Sequence, residues 1–435
     1  MIIKNARVID PWQNIDKIAD IQIKDGKINK IASDLTDDKE IIDAKNLIAC
    51  PGLVDVHVHF RDPGFTYKED LYSGTQAAIA GGYTSVVCMA NTNPVMDSPK
   101  KVKEFYKRAK ELPINVYTVS ALTENFEDNK LVDMEKLLQE GAVGFTDDGI
   151  PNRNSKLILQ AMKEAKRLNT LISFHEEDPN LIENNGINHG EVSEKFNIYG
   201  SPSLAESSFI ARDVEYAINT GAKIDIQHIS TKRGVDLVRY GKSRGANVFA
   251  EVTPHHFTLT DKALLKYKQM AKMNPPLRTK EDRQAILEGI KDGTLELIAT
   301  DHAPHSQEEK NRELTKAPSG IIGLETALGL GVRELVEKNI ISINKLIELM
   351  STNPCKKYNL PGGTLKEGSR ADILIFDPKR EYSIETFKSK SSNTPFKGEK
   401  LIGKVIYTIS KGHIIYMNKN WQKSYKMANL SKKLV

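Results

Sequence analysis

The sequence predicts an α/β protein, with a TIM-like (β/α)8 barrel and a small β-sandwich domain formed from both termini. Two observations support this fold class. The middle of the chain alternates short β-branched runs with amphipathic helical segments. Both ends instead alternate apolar with polar residues and carry hairpin-type turns. We therefore place the composite β domain at residues 1–50 plus 356–435 and the barrel at residues 51–355.

The terminal segments have the pattern of short strands. The first 50 residues alternate apolar with polar side chains, and Asp25-Gly26 is a hairpin turn signal. Two segments near the other end alternate in the same way, with Lys411-Gly412 at their turn. Two β-rich ends around a different middle suggest one domain that both ends build.

The middle of the chain contains eight strand candidates. Between them lie helical segments such as 155–168, which places its apolar side chains on one face. A doubly wound open sheet would give a similar alternation, but no GxGxxG motif follows an early strand, which weakens that alternative. The candidate strands are LVDVHVHF, TSVVCMAN, INVYTVSA, AVGFTDD, TLISFHE, KIDIQHIS, NVFAEVTP and LELIATDH.

Composition excludes several classes of protein. The chain has 435 residues, of which 39% are hydrophobic and 27% charged, values typical of a soluble globular protein. A net charge of +5 is too slight to indicate nucleic-acid binding, although a locally basic pocket for an anion stays open. No window approaches the ~18 consecutive apolar residues of a membrane span. We therefore expect a cytoplasmic protein with neither a nucleic-acid nor a membrane partner.

The three cysteines, Cys50, Cys88 and Cys355, lie far apart. An odd, sparse set without CxxC spacing argues against a disulfide framework and against a cysteine zinc site. The chain is therefore expected in a reducing compartment.

Metal-binding residue types end several of the candidate strands. His57 and His59 are two residues apart in one strand, so they point to the same side and can bind one metal ion. That motif alone is weak evidence, but four further side chains end other strands at the same rim: Asp148, His175, His228 and Asp301. Imidazole and carboxylate without thiolate suit Zn²⁺, and also Mn²⁺ or Co²⁺. Six ligands exceed one tetrahedral zinc and fit two ions that share a bridging carboxylate.

Two longer motifs resemble a known family. PGLVDVHVHFRDPG (51–64) and ATDHAPHSQEEK (299–310) look like the two signatures of the dihydroorotases, in the cyclic amidohydrolase group of metal-dependent hydrolases. HFRDPG and DHAPHSQEEK are specific, whereas HxH is shared across the superfamily. The resemblance extends along nearly the whole chain, through GGYTSVVCMANTNP, GFTDDG, EVSEKFNIYGSPSLAE, EVTPHHF, MNPPLR, GLETAL and NTPFKG.

The resemblance implies a role for each candidate metal ligand. One ion would be bound by His57, His59 and Asp301, and the other by His175 and His228. Asp148 would bridge the two ions. This set would hold two Zn²⁺ ions per subunit, with Mn²⁺ or Co²⁺ as alternatives. Related enzymes bridge the ions with a carboxylated lysine, and GFTDDG offers none. Strand alternation allows only one of Asp147 and Asp148 to face the metals, and the match favours Asp148.

The resemblance also implies a set of substrate contacts: His59, Arg61, Asn91, Asn274, His305, Ser319 and Gly320. A planar bidentate donor such as Arg61 suits a carboxylate, although a surface salt bridge is the alternative. The two asparagines could instead be cap or turn residues. An aromatic residue is usual where Ser319 stands. The polar stretch 303–320 reads as a mobile lid or as a plain exposed loop, and we favour the lid.

The implied reaction is the reversible hydrolysis of the cyclic amide of (S)-dihydroorotate to N-carbamoyl-L-aspartate, in de novo pyrimidine biosynthesis. A hydroxide held by two metal ions would attack the amide carbon, and Asp301 would act as base and then as acid.

Two alternatives to this reaction stay open. Another cyclic amidase, a hydantoinase or allantoinase, would share HxH and the barrel, but a hydantoin lacks the carboxylate that Arg61 would clamp. A non-catalytic homologue could serve as a scaffold, for example for aspartate transcarbamoylase, yet such proteins typically lose metal ligands. A homodimer and an association with aspartate transcarbamoylase are expectations from the resemblance alone.

Overall fold

The computed structural model describes residues 1–36, 40–419, 421 and 425–427. It shows a TIM-barrel-like unit of parallel strands beside a β-rich unit to which both termini contribute, which confirms the predicted fold class. None of the helices in these residues combines the length and the apolar character needed to cross a bilayer.

The strands follow one another along the described residues in three groups: an N-terminal group, the barrel strands and a C-terminal group. They are β1 (Ile2–Asp10), β2 (Ile15–Lys24), β3 (Lys27–Ala32), β4 (Glu40–Asp43), β5 (Ile48–Pro51), β6 (Leu53–Val58), β7 (Tyr83–Cys88), β8 (Asn115–Thr118), β9 (Ser120–Ala121), β10 (Phe145–Thr146), β11 (Leu171–Phe174), β12 (Lys223–Ile226), β13 (Val248–Val252), β14 (Leu297–Ile298), β15 (Ile373–Tyr382), β16 (Leu401–Ser410), β17 (His413–Met417) and β18 (Tyr425–Met427).

Helices occupy most of the connections between the barrel strands. The α-helices are α1 (Leu71–Ala80), α2 (Pro99–Ala109), α3 (Met134–Gln139), α4 (Ser155–Arg167), α5 (Glu191–Lys195), α6 (Ser203–Thr220), α7 (Lys232–Ser243), α8 (Pro254–Thr258), α9 (Ala263–Tyr267), α10 (Lys280–Asp292), α11 (Gln307–Lys310), α12 (Ala327–Gly331), α13 (Ile343–Ile347) and α14 (Asn353–Tyr358). Shorter 3-10 turns lie at Glu124–Phe126, Pro179–Leu181 and Lys268–Ala271, and π-helical turns at Val332–Val336 and Glu348–Thr352.

Strands from the two ends of the chain pair directly. β5 and β15 run antiparallel, with Leu374 opposite Cys50 and Phe376 opposite Ile48. β1 pairs with β2 along one edge and with β4 and then β5 along the other. Within the described residues, the predicted β-sandwich therefore takes the form of a nine-stranded sheet. The domain boundaries at 50/51 and 355/356 stay predictions.

The two hairpin turns of this sheet touch each other. Gly26 lies in the turn between β2 and β3, and Gly412 lies in the turn between β16 and β17, with φ of 71° and 81°. A Cβ atom on Gly412 would lie 2.7 Å from the Cα of Gly26, so glycine is required at this contact. Side chains of β3 and β16 such as Ile28 and Ile409 share one buried core. The two ends of the sheet therefore face each other.

Eight strand positions form the barrel, at the eight predicted runs. Neighbouring strands from β6 to β14 are parallel, and β8 and β9 are one strand interrupted at Val119. The ring closes where Val58 at the end of β6 pairs with His302, just after β14. Here the His59 amide donates to the His302 carbonyl at 2.9 Å. Because all the strands run the same way, their carboxyl ends meet at one rim.

The helix predicted at 155–168 illustrates how the barrel is covered. In α4 the Asn154 side chain accepts a hydrogen bond from the Leu157 amide and begins the helix. Its apolar face, which includes Ile158, Ala161 and Met162, is buried against the strands as the periodicity predicts.

Candidate metal centre and active site

Six buried imidazole and carboxylate side chains converge at the carboxyl-terminal rim of the barrel. Each ends or follows a parallel strand, and none is more than 6% exposed. The pleat directs alternate side chains of β6 to the same side, which places the rings of His57 and His59 5.4 Å apart. The six residues, with the strands they end or follow, are His57 and His59 (β6), Asp148 (β10), His175 (β11), His228 (β12) and Asp301 (β14).

One group of potential ligands is made by His57, His59 and Asp301. Their ligand atoms all lie within 4.8 Å of one another. The Asp301 Oδ1 atom is 2.9 Å from His59 Nε2 and 3.5 Å from His57 Nε2. These three residues are the first metal set that the family resemblance implies.

Asp148 lies between this group and the two remaining histidines. Its Oδ1 atom is 3.4 Å from His57 Nε2, 3.5 Å from His175 Nδ1 and 3.7 Å from His228 Nε2. Its Oδ2 atom is 3.5 Å from His59 Nε2. His57, Asp148 and His228 form a second group whose ligand atoms lie within 4.8 Å of one another. A carboxylate shared by imidazoles on both sides has the position that a bridging ligand needs.

The donor set fits a metal centre. His57 Nε2 is buried, lacks a hydrogen-bond partner and faces the carboxylates of Asp148 and Asp301. Burial opposes charge on His57, yet Glu251, Asp301 and Asp148 raise the pKa of its imidazole well above the ordinary value. Divalent cations fit this cluster because an unpartnered imidazole nitrogen and two carboxylates lie close together in a buried site.

Three site residues have left-handed backbone conformations. Arg61, His228 and Asp301 have φ of 57°, 32° and 45°. Such conformations cost about 1–3 kcal/mol for a residue with a side chain and concentrate at functional sites. Each of these residues follows the end of a barrel strand, where the bend redirects its side chain.

The neighbouring Asp147 has a different task. Its Oδ2 atom accepts a hydrogen bond from the Asn152 amide at 2.8 Å, and its Oδ1 atom accepts one from the His175 amide at 2.9 Å. Asp147 therefore holds the backbone of a histidine at the rim, while Asp148 lies among the imidazoles.

Two buried carboxylates that the sequence analysis did not assign support the histidines. Glu251 on β13 lies 2.9 Å from His57 Nδ1, which leaves His57 Nε2 for the centre. Asp55 on β6 accepts hydrogen bonds from the amides of His57 and Thr300. The signal for Glu251 was present, because it is the one charged residue within the apolar run VFAEV.

A cavity of about 380 Å³ opens beside the centre. Its size suits a small ring compound, and its wall combines metal-ligand candidates with cationic and amide side chains. The predicted site residues that line it are His59, Arg61, Asn91, Asp148, His175, Asn274, Asp301, His305 and Ser319.

Arg61 is anchored from one side and lines the cavity. Its Nε atom donates to the Pro304 carbonyl at 3.2 Å, and its Nη2 atom lies 3.4 Å from His305 Nε2. Burial lowers the pKa of Arg61, and Asp301 and Asp148 act against this change. A guanidinium stays charged in proteins, so it supplies a fixed positive group beside the cavity.

The two predicted asparagines contact the ligand cluster. Asn91 Oδ1 lies 3.0 Å from His59 Nδ1, and its Nδ2 atom donates to Asp148 Oδ2 at 3.1 Å. Asn274 Nδ2 lies 3.3 Å from His175 Nε2, and its buried Oδ1 atom has no hydrogen-bond partner. Both asparagines therefore connect the cavity wall to the histidines.

The segment before GLET brings Ser319 to the same cavity, whereas the predicted contact Gly320 lies directly behind it and is not among the lining residues. The Ser319 carbonyl lies 2.9 Å from His305 Nε2, and the Ser319 hydroxyl is buried without a partner. Gly320 has φ of 154°, and a Cβ atom there would lie 2.6 Å from the Ala303 carbonyl oxygen. A side chain at position 320 would therefore displace the loop.

Asn393, far along the chain, joins these loops. Its Nδ2 atom donates to the carbonyls of Ala303 and Gly320 at 2.9 and 3.0 Å, and its Oδ1 atom accepts from the His305 amide at 3.0 Å. Asn393 begins the NTPFKG motif, to which the sequence alone assigned no function.

The chain is similar in sequence to a known family along nearly its whole length. The model of the amidohydrolase family matches residues 48–415. The chain is 54% identical to the dihydroorotase of Clostridioides difficile over 418 residues, which cover 96% of this chain and 99% of that protein. It is 48% identical to the dihydroorotase of Clostridium acetobutylicum over 423 residues, 96% of this chain and all of that protein.

Solved structures share the fold at lower identity. An L-hydantoinase (dihydropyrimidinase) from Arthrobacter aurescens superposes with a TM-score of 0.86 at 24% identity, with 96% of each chain covered. A dihydropyrimidinase from Brevibacillus agri has a TM-score of 0.84 at 25% identity, over 96% of this chain and 95% of that chain. These likenesses support the architecture of barrel plus β-rich unit.

Proposed function

The chain belongs to the dihydroorotase family of amidohydrolases, and on that premise we propose how its rim site performs the reaction. The enzyme hydrolyses the cyclic amide of (S)-dihydroorotate to N-carbamoyl-L-aspartate and, in the biosynthetic direction of pyrimidine synthesis, closes the ring with loss of water. The observation that carries the proposal is one cavity lined by metal-ligand candidates and by the guanidinium of Arg61.

Two divalent cations are proposed for the centre, with Zn²⁺ first and Mn²⁺ or Co²⁺ as alternatives. The donor set is imidazole and carboxylate without thiolate, which suits these ions. Asp148 would bridge the ions, with His57, His59 and Asp301 on one and His175 and His228 on the other. When bound, such a pair supplies hydroxide at neutral pH and polarises a carbonyl.

The chain's own residues hold the substrate by its exocyclic carboxylate. Arg61 provides the charged planar donor, and Asn91 and Asn274 provide amide groups on the same wall. His305 and the loop at Ser319 close the cavity beside Arg61. Fixing the carboxylate orients the ring amide toward the rim, which converts binding energy into alignment of the reacting carbon.

Asp301 moves the proton. Burial opposes its ionisation, but His57 and His59 hold the pKa of Asp301 below the ordinary range, so its carboxylate is available as a base. It accepts a proton from the attacking water as the new C–O bond forms. It then delivers that proton to the ring nitrogen as the C–N bond breaks, so one group serves as base and then as acid.

The donor set supports this reaction over the two alternatives. A hydantoin has no carboxylate that Arg61 could bind. Asp148 also stands where related enzymes have a carboxylated lysine, which further disfavours a hydantoinase. A scaffold role without catalysis is disfavoured because all six candidate ligands are present and gathered at one rim.

Elemental analysis together with two substrate assays tests the proposal. We expect about two divalent ions per chain, ring opening of dihydroorotate and, under the same conditions, little or no turnover of hydantoin. A protein that hydrolyses hydantoin in preference to dihydroorotate would contradict the substrate assignment. Full activity in a protein free of metal would contradict the metal assignment.

Arg61→Met is expected to lower kcat/KM for dihydroorotate about 100- to 1000-fold, or about 3–4 kcal/mol, because a buried charged donor to the carboxylate is lost. Steady-state kinetics measures the change. Arg167→Met, on the exposed face of α4, is the matched control and is expected to leave kcat/KM unchanged. An unaltered specificity constant in Arg61→Met would remove Arg61 from the substrate site.

Assembly and location rest on the family resemblance. We propose a cytoplasmic enzyme that forms a homodimer and associates with aspartate transcarbamoylase. Light scattering of the purified chain, alone and mixed with the transcarbamoylase, tests both associations.

A further inference from the structure

Two lysines without a role in the mechanism are buried beside the cavity. Lys310 is the last residue of the DHAPHSQEEK motif, and Lys272 precedes Met273 and Asn274. Each is 1% exposed. Lysine is almost never fully buried unless it is paired, so its partners indicate what each residue does.

Lys272 bonds to the segment that precedes GLET. Its Nζ atom donates to the carbonyls of Thr315 and Ala317 at 3.2 and 2.8 Å. The backbone of Lys272 contributes as well, because its carbonyl accepts from the Gly320 amide at 2.9 Å. Lys272 therefore binds this segment at both of its ends.

Lys310 bonds to the same segment from another direction. Its Nζ atom donates to the carbonyls of Pro318 and Gly320 at 3.0 and 3.1 Å. Together the two ammonium groups take four backbone carbonyls of residues 315–320, which we call the substrate segment.

Neither ammonium has a carboxylate partner in the part of the chain that the structure describes, since their bonded atoms are all carbonyl oxygens. Burial, with a contribution from Lys272, lowers the pKa of Lys310 to about 7, and burial lowers the pKa of Lys272 to about 8. Burying a cation without a counter-ion costs stability. Stability alone therefore does not explain why two such lysines are buried near each other. A role at the cavity wall does.

The substrate segment forms part of the cavity wall. Residues 315–319 line the cavity together with Lys272 itself, and the Ser319 carbonyl meets His305. The polar stretch 303–320 is therefore fixed at its cavity end, whereas Arg312 and Glu313 near its middle are exposed. That the stretch moves as a lid stays a prediction.

We propose that Lys272 and Lys310 are positioning residues that hold the substrate segment in place as a wall of the anion-binding cavity. The effect on substrate rests on the proposed function, whereas the ordering of the segment does not. Lys272, which is mostly charged at neutral pH, also places positive charge beside a cavity that must accept a carboxylate.

Lys310→Met and Lys272→Met test the proposal, with Lys291→Met at an exposed position of α10 as the control. In hydrogen exchange of the full-length protein loaded with its metal, we expect the hydrogen-bonded amides of Lys316, Ala317 and Gly320 to exchange at least about tenfold faster in the two variants. In kinetics we expect KM for dihydroorotate to rise about tenfold, with kcat changed less than threefold. A residue that serves only global stability would instead raise exchange throughout the barrel and leave KM unchanged.

Exchange and KM equal to those of Lys291→Met would overturn the proposal. Should Lys310→Met not fold, Lys272→Met alone decides the matter by the same two readouts. Because exchange needs no substrate, a segment that loosens in an enzyme inactive on dihydroorotate would uphold the positioning role and reject the substrate assignment instead.

Discussion

Asp301→Asn is expected to lower kcat about 10³-fold or more while the fold and the bound metal survive. Asparagine keeps an oxygen for coordination and the shape of the side chain, but its amide cannot accept the proton of the attacking water or return it to the ring nitrogen. His59 Nε2 lies 2.9 Å from Asp301 Oδ1, so the remaining oxygen of the asparagine can still accept a hydrogen bond from it. The measurement is kcat in both directions at saturating substrate.

The same preparation supplies the control for this experiment. Metal content per chain and the thermal unfolding midpoint should match those of the unchanged enzyme. Substantial turnover with both metals bound would show that another group moves the proton. A loss of metal in step with activity would reduce Asp301 to a ligand.

The adjacent pair Asp148→Asn and Asp147→Asn should separate a ligand from a structural carboxylate. Asp148→Asn is expected to weaken metal binding at least about 100-fold and to abolish activity, because its carboxylate meets imidazoles from both sides. Asp147→Asn should keep its metal and lose about 1–3 kcal/mol of stability, because only one of its two oxygens remains as an acceptor.

Metal analysis after dialysis against buffered Zn²⁺, and urea unfolding at the same pH, give the two quantities. The two variants carry the same replacement at adjacent positions of one sequence, so their expression and handling are matched. If Asp147→Asn lost the metal and Asp148→Asn kept it, the bridge would belong to the other residue.

Much of the fold is encoded in local patterns that can be recognised in the sequence. The eight barrel strands are short apolar runs, and the rule that parallel strands share a rim then places His57 and His228 together without any knowledge of packing. The helix at Ser155–Arg167 has a clear apolar face, and the two glycine turns mark hairpins. In each case neighbouring residues along the chain determine the outcome.

The features that could not be predicted depend on contacts between distant segments. Nothing near Asn393 indicates that it will bond to Ala303 and Gly320, because those partners lie 90 and 73 residues away. The residues around Lys310 in the sequence likewise give no sign that this lysine is buried. Its burial becomes apparent only in the folded loop. Such residues are recognised once the rim is assembled.

The pairing of β5 with β15 has a consequence for synthesis of the chain. Strand β5, which leads directly into β6 and its candidate metal ligands, has one edge that is completed only by residues 373–376, more than 300 positions later. While a nascent chain is being made, that edge, with Ile48 and Cys50 on it, stays without its neighbour for most of translation. An unpaired apolar strand edge invites association with other chains. A chain released before residues 373–376 are made would therefore carry an unpaired, aggregation-prone strand edge next to the first strand of its barrel.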